Sequence, residues 1–314
     1  MKGFLSGILI VALGFCLAVW HFPNPVEASA AQAEGSQGKT KVVLLGTGTP
    51  QTYPDRSGAA VAIIVNDTPY LVDCGPGVVR RAAMARNLGI TGLADKNLKR
   101  LFVTHLHSDH TAGYADLILT PWVMGRTEPL EVYGPSGIAE MTEYILKAYH
   151  KDVEIRTKGL EEQPPRGVEV HAHEIQPGVV YKDENVKVKA FLVRHGSWDQ
   201  AFGYRFETPD RTIVISGDTT KTDAIVENCH GCDVLLHEVY SAKRLREQSE
   251  RWQKYHSAFH TSAPDLAELA TRAKPGVLIL YHEILGWATE EDIMAEIHAG
   301  YTGKVVFGND LDVY

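Results

Sequence analysis

From residue 41 onward the chain alternates short apolar runs with segments of helical period. The apolar runs, rich in Val, Ile, Leu and Phe, predict strands over 42–45, 60–65, 70–72, 101–104, 130–133, 186–193, 202–206, 212–216, 234–236, 277–280 and 304–307. Apolar positions at helical spacing predict helices over 78–88, 138–149, 222–227, 264–273 and 290–299. Ser262 stands three residues before Asp265, and Thr289 three before Asp292. At each place a side-chain oxygen can accept from free backbone amides and start a helix. The mixture is α/β, without internal repeats, and 41–314 reads as one domain.

Ahead of this domain, 4–20 carries no formal charge; Lys2 precedes it, and Pro23, Pro25 and Ala28-Ser29-Ala30 follow. The pattern predicts a secretory signal over 1–30, cleaved after Ala30. An uncleaved N-terminal anchor is the alternative, because the stretch is intermediate in length between a signal core and a membrane span. Residues 31–40 read as a polar linker. The expected location is the periplasm or the medium, with membrane contact only through the N-terminal segment.

Composition narrows the function classes. Lys and Arg total 31 against 39 Asp and Glu, a formal charge of −8, so nucleic acid is disfavoured as an electrostatic partner. Four cysteines are too few for a disulfide scaffold, whereas fourteen histidines hint at metal chemistry. Thr104-His105-Leu106-His107-Ser108-Asp109-His110 concentrates that hint where an apolar strand leaves its sheet. In an extended segment His105 and His107 project to one side, while Asp109 and His110 open the next helix and turn toward a neighbouring position. One segment can thus serve two adjacent ions. Imidazole and carboxylate without thiolate suit zinc best, with iron or manganese as the remaining options.

This segment resembles the metal-binding signature of the metallo-β-lactamase superfamily. Leu45-Gly46-Thr47-Gly48-Thr49-Pro50, Asp73-Cys74-Gly75, Gly134-Pro135, His195-Gly196, Gly217-Asp218-Thr219 and His237-Glu238 are similar to its ribonuclease Z and arylsulfatase branch. The resemblance implies an αββα sandwich of two mixed sheets flanked by helices. It also implies two zinc ions per chain: His105, His107 and His195 on one, Asp109, His110 and His282 on the other, and Asp218 bridging them. His195, Asp218 and His282 each end a β-rich apolar run, which supports the set independently. The resemblance further implies His260 as a proton donor oriented by Glu238, with His256 as the competing candidate. Asp73 supports the metal loop rather than coordinating.

Two divalent ions ~3.5–4 Å apart furnish a hydroxide nucleophile and clamp the oxygens of a phosphoryl, sulfuryl or acyl centre, so hydrolysis is the expected chemistry. Ribonuclease Z proteins carry a long arm that grips transfer RNA between the positions matching His195 and Asp218. Here only 22 residues separate the two, and Pro76 replaces the glutamate that follows Asp-Cys-Gly in those nucleases. Thr49-Pro50 with Arg56-Ser57-Gly58 looks closer to the arylsulfatase-like relatives. The leading expectation is an exported dinuclear zinc hydrolase of a small anionic ester, an aryl sulfate or a phosphodiester; a homodimer is left open. The alternatives are a ribonuclease Z-type phosphodiesterase or endoribonuclease, a β-lactamase or lactonase, a mononuclear iron oxidoreductase, and a non-catalytic zinc-binding protein.

Several features fall outside this set. His171 and His173 have same-face spacing but no evident carboxylate partner, and read as surface pairing. Cys229-His230-Gly231-Cys232 precedes a strand and reads as a local disulfide or two inert thiols rather than a redox site. Residues 242–255 carry a net positive charge and read as a solvated or substrate-steering face. Trp122 and Trp198 are candidates for the wall of a pocket that takes a flat substrate group, with ordinary core or rim packing as the equal alternative.

Overall fold

The computed structural model describes residues 40–314. The leader expected over 1–30 lies outside the described residues, and Thr40, expected in the linker, opens the first strand. The strands are β1 (Thr40–Gly46), β2 (Ala60–Val65), β3 (Thr68–Val72), β4 (Arg100–Phe102), β5 (Leu130–Gly134), β6 (Val170–Glu174), β7 (Gly178–Lys182), β8 (Lys187–Leu192), β9 (Phe202–Glu207), β10 (Thr212–Ile215), β11 (Val234–Tyr240), β12 (Val277–Ile284) and β13 (Val305–Phe307). The α-helices are α1 (Val78–Asn87), α2 (Ser108–Thr111), α3 (Tyr114–Val123), α4 (Ile138–Ala148), α5 (His150–Lys158), α6 (Asp223–Cys229), α7 (Ala242–Leu245), α8 (Glu250–Phe259), α9 (Ala263–Ala273) and α10 (Glu290–His298).

Two sheets form, in the orders β1-β2-β3-β4-β5-β6 and β13-β12-β11-β10-β9-β8-β7. Both are mixed: β1 to β3 pair antiparallel and β3 to β6 parallel. In the second sheet β10 to β13 pair parallel and β7 to β10 antiparallel. The reason for stacking is legible in β1 and β2, whose runs are apolar on both faces. Val42, Leu44, Val61 and Ile63 meet Phe202, Tyr204 and Ile215 between the sheets, while the alternate residues Val43, Leu45, Ala60 and Ala62 pack against the helix side with Val78, Ala82 and Leu117. On the far side α9 buries Ala263, Leu266, Ala267, Ala270 and Ala273, one stripe at helical period. The result is the αββα sandwich.

Both expected helix starts form. The Ser262 side chain accepts from the Asp265 amide, and Thr289 and Asp292 make a reciprocal capping box. Strands β11 and β12 run on to Tyr240 and Ile284, past their predicted ends at 236 and 280. The apolar pattern breaks at His237-Glu238 and His282-Glu283, yet these polar residues are buried and continue the strands. No apolar pattern predicts β7, α5 or α8; the residues of β7 and α5 are at best half-buried, and those of α8 are mostly exposed.

Arg126 is fully buried and serves the sandwich rather than the site. Its guanidinium donates to the carbonyls of Leu98, Leu117, Ile118 and Gly167. Arg126→Met leaves these carbonyls without their donor. The expected loss is about 3 kcal/mol of unfolding free energy, measured by urea denaturation at pH 7; an unchanged midpoint and slope would count against this role.

Candidate metal centre

The chain brings its metal-ligating candidates to one edge of the sandwich by ending strands there. His105, His107, Asp109 and His110 follow β4, His195 follows β8, Asp218 follows β10, and His282 lies within β12. Gly75 allows the β3 loop to approach: a Cβ there would lie 2.3 Å from the Asp109 carbonyl oxygen. Asp73 (φ 60°) and His282 (φ 50°) sit in the left-handed region, a strained backbone that the surrounding contacts hold.

Potential ligand atoms of His105, His107, His195 and Asp218 form one group, those of Asp109, His110 and His282 a second, and those of Asp218, His260 and His282 a third that overlaps it. In the first, His107 Nδ1 lies 3.0 Å from His105 Nε2 and 3.1 Å from His195 Nε2. In the second, His282 Nε2 lies 3.0 Å and His110 Nε2 3.6 Å from Asp109 Oδ2. Asp218 divides its oxygens between them. Its Oδ2 is 3.9 Å from both His105 and His195, and its Oδ1 is 3.3 Å from His110 Nε2 and 3.5 Å from His282 Nδ1. His110 Nε2, His282 Nδ1 and Asp218 Oδ1 are buried without a hydrogen-bond partner. Buried polar atoms are ordinarily satisfied, so a convergent orphan set fits a cation. The imidazole and carboxylate donors fit divalent zinc, iron or manganese.

Neighbours hold these rings in place. Asp73 Oδ2 is 2.8 Å from His110 Nδ1, and its Oδ1 accepts from the Thr104 amide at 2.8 Å. His195 Nδ1 faces the Phe259 carbonyl at 2.7 Å, leaving Nε2 for the cluster. Asp73 and the Phe259 carbonyl thereby select the ring orientation and tautomer that a ligand needs. Trp198 Nε1 donates to His107 Nε2 at 2.9 Å, which fixes that ring's position without preparing Nδ1 as a lone-pair donor.

The two groups differ in protonation. Burial pulls His105 well below the usual imidazole range, lowers His107, and brings His195 down to about 4. Burial also pulls on His110 and His282, but the carboxylates Asp218, Asp73 and Asp109 outweigh it, holding His110 well above the usual range and His282 raised. Conversely, burial would raise Asp218 and Asp109, and the facing imidazoles His282 and His110 lower both. His260 lies beside the centre, its Nδ1 3.3 Å from Glu238 Oε1 and 3.9 Å from Asp218 Oδ2. Burial brings its pKa down to about 4, and burial together with Asp218 raises Glu238 well above the carboxylate range. His256 is one helical turn away, its ring centroid 5.4 Å from that of His260, and it faces neither carboxylate.

Other sequence expectations divide. Trp198 reaches the cluster, but Trp122 is fully buried in the core and donates to the Pro164 carbonyl, so it lines no pocket. The burial pattern of α3 explains this, with Leu117, Ile118, Pro121 and Trp122 on one inward stripe. His171 and His173 do have a carboxylate partner, Glu131 on the adjacent strand, at 2.7 and 2.8 Å. Cys229 and Cys232 form a disulfide. The basic segment supplies Arg251, Trp252 and Tyr255 to the cavity over the centre; its charge pointed to Arg251 but not to the two aromatic residues.

The family model described as the beta-lactamase superfamily domain matches residues 68–282. Ribonuclease Z of Mycobacterium bovis is 32% identical over 279 residues, spanning 86% of this chain and 96% of that relative. Among solved structures, the metallo-β-lactamase fold protein YhfI from Bacillus subtilis superposes with a TM-score of 0.68 at 18% identity, covering 88% of this chain and 100% of that one. Human tRNase Z, short form, superposes with a TM-score of 0.64 at 22% identity, covering 87% and 98%.

Proposed function

Because the chain belongs to the metallo-β-lactamase superfamily, we propose that it is a metal-dependent hydrolase that cleaves phosphodiester bonds, with chemistry of the ribonuclease Z type. The observation that carries the reading is Asp218, whose two oxygens face two separate groups of metal-ligating side chains. The similarity to ribonuclease Z over nearly all of that relative supports a phosphodiester as the substrate. Aryl sulfate gains no support from these relatives. The same similarity brings nucleic acid forward as a substrate, against the expectation drawn from net charge. A short phosphodiester is the second reading, because β9, a turn and β10 take up the span between His195 and Asp218 and leave no room for an RNA-gripping arm.

His105, His107 and His195 would hold one cation and Asp109, His110 and His282 the other, with Asp218 shared. Bound divalent cations supply a hydroxide nucleophile at neutral pH and positive charge at the phosphoryl oxygens. The chain's own part is to orient these ligands through Asp73, Trp198 and the Phe259 carbonyl, and to deliver a proton. His260 is the proposed donor to the leaving oxygen, with Glu238 setting its ring orientation through Nδ1. Burial holds the ring neutral in the free protein, so the charge of the bound anionic substrate must raise its pKa from about 4 for the ring to carry that proton. His260→Ala is expected to leave metal content unchanged and to slow diesters with poor leaving groups by ~10²–10⁴. Turnover of bis-p-nitrophenyl phosphate, whose leaving group needs little protonation, should fall far less. Equal slowing of both substrates would remove His260 from this role.

The proposed activity is tested with metal-replete protein on bis-p-nitrophenyl phosphate, a short RNA, p-nitrophenyl sulfate, nitrocefin and a homoserine lactone. Hydrolysis of the phosphodiesters is expected; activity on nitrocefin alone overturns the reading. The Cys229–Cys232 disulfide supports export to an oxidising compartment, which cell fractionation of the tagged full chain would test.

A further inference from the structure

A cavity of about 500 Å³ opens over the metal centre, with His107, Asp109, Asp218, His260 and His282 at its floor. This volume lies within the range of small-ligand pockets, roughly 300–1,000 Å³. One wall is α8, which contributes Arg251, Trp252, Tyr255 and His256; Ile284 at the end of β12 and Trp287 three residues beyond it complete the lining on that side. The aromatic rings form a continuous series. The ring centroids of Trp252 and Tyr255 are 5.8 Å apart, those of Tyr255 and Phe259 4.5 Å, and those of His256 and Trp287 4.8 Å. Trp252 and Tyr255 nevertheless remain 43% and 36% exposed, so the series is not core packing. Buried within the same wall, His256 Nδ1 and Trp287 Nε1 lack a hydrogen-bond partner. Arg251 stacks on Trp252 at 5.5 Å and forms no salt bridge among the described residues, leaving its charge available to an anion.

We infer that this wall is a ring-binding platform and that the substrate carries a flat aromatic group beside the scissile phosphoryl group. The inference rests on the phosphodiester reading above and deepens it by naming the substrate class. A π-face on Trp252 and Tyr255 recovers the apolar contact these side chains forgo in the free protein, and Arg251 attracts the adjacent phosphate. Stacking on aromatic side chains changes affinity by roughly 5- to 150-fold per ring. A nucleobase and a simple aryl group share this chemistry.

Equilibrium binding separates the cases without requiring turnover. Metal-replete full-length protein is titrated with methyl phosphate, phenyl phosphate and thymidine monophosphate, which carry the same charged group. The two ring-bearing esters are expected to bind roughly tenfold more tightly than methyl phosphate. Trp252→Ala should bring that ratio toward one, and Trp252→Phe should keep most of it, with metal content measured for each protein. A preference for thymidine monophosphate over phenyl phosphate assigns the platform to a nucleobase, and equal affinities assign it to any flat ring. A ratio near one in the parent, a ratio unmoved in both Trp252→Ala and Tyr255→Ala, or no binding of any ester overturns the inference. A preserved ring preference with no hydrolysis of bis-p-nitrophenyl phosphate would instead count against the phosphodiester reading alone.

Discussion

Asp218→Asn is expected to lower phosphodiester hydrolysis by ~10³-fold or more and to reduce bound metal below the parent's content. Asparagine keeps the shape of the side chain but removes the negative charge that lies within 4 Å of His105, His110, His195 and His282. A carboxylate shared by two cations is asked for several kilocalories of charge stabilisation. About 4 kcal/mol corresponds to three powers of ten in rate. The loss should not reflect unfolding, since the amide can occupy the same volume and the neighbouring imidazoles then discharge. Metal analysis, circular dichroism and turnover of bis-p-nitrophenyl phosphate on one preparation decide the matter. A folded variant with full metal content and activity within tenfold of the parent would exclude a bridging role for Asp218.

Metal uptake should depend on pH differently at the two groups. Cations compete with protons for the same nitrogens, so a ring held neutral binds over a wider acid range than a ring held charged. Burial keeps His105, His107 and His195 below their usual pKa, to about 4 for His195, and these rings are neutral ligands through mildly acidic pH. Burial fails to do the same for His110 and His282, because Asp218, Asp73 and Asp109 stabilise their charged forms. Affinity at the second group therefore falls as pH drops through those raised values, whereas the first group keeps its ligands. Metal-free protein titrated with zinc is expected to take up one equivalent at a mildly acidic pH and a second only at an alkaline pH. The second uptake should release protons, seen as a dependence of the measured heat on buffer ionisation enthalpy. Equal stoichiometry and equal proton release at both values would refute the asymmetry.

Legibility followed the physical range of each signal. The runs of β1 and β2, the stripe of α9 and the caps at Ser262 and Thr289 rest on periodicity and on contacts within one turn, and each forms as read. Helix α8 was illegible because only His256 among its residues is buried, and Trp252, Tyr255 and His256 line a cavity instead of a core. Trp122 had two equal readings, and the structure chose core packing. Its place after the metal loop suggests a pocket wall, while the turn of α3 carries it inward. The Glu131 partner of His171 and His173 depends on strand pairing, which neither segment announces by itself.

Motifs along the chain carried the resemblance that implied the family, the αββα architecture and the residues that converge at its edge, and the short-range pattern of polar side chains at the ends of apolar strands supported that set. Only the tertiary structure decided how those residues divide their contacts. Asp109 meets His282 across 173 positions of sequence, and the choice of which Asp218 oxygen faces which histidines depends on how two sheets stack. Sheet register and stacking come from the sum of many distant contacts, so no single segment encodes them. The charges that separate the two groups of histidines, and the aromatic wall above them, arise from that same convergence.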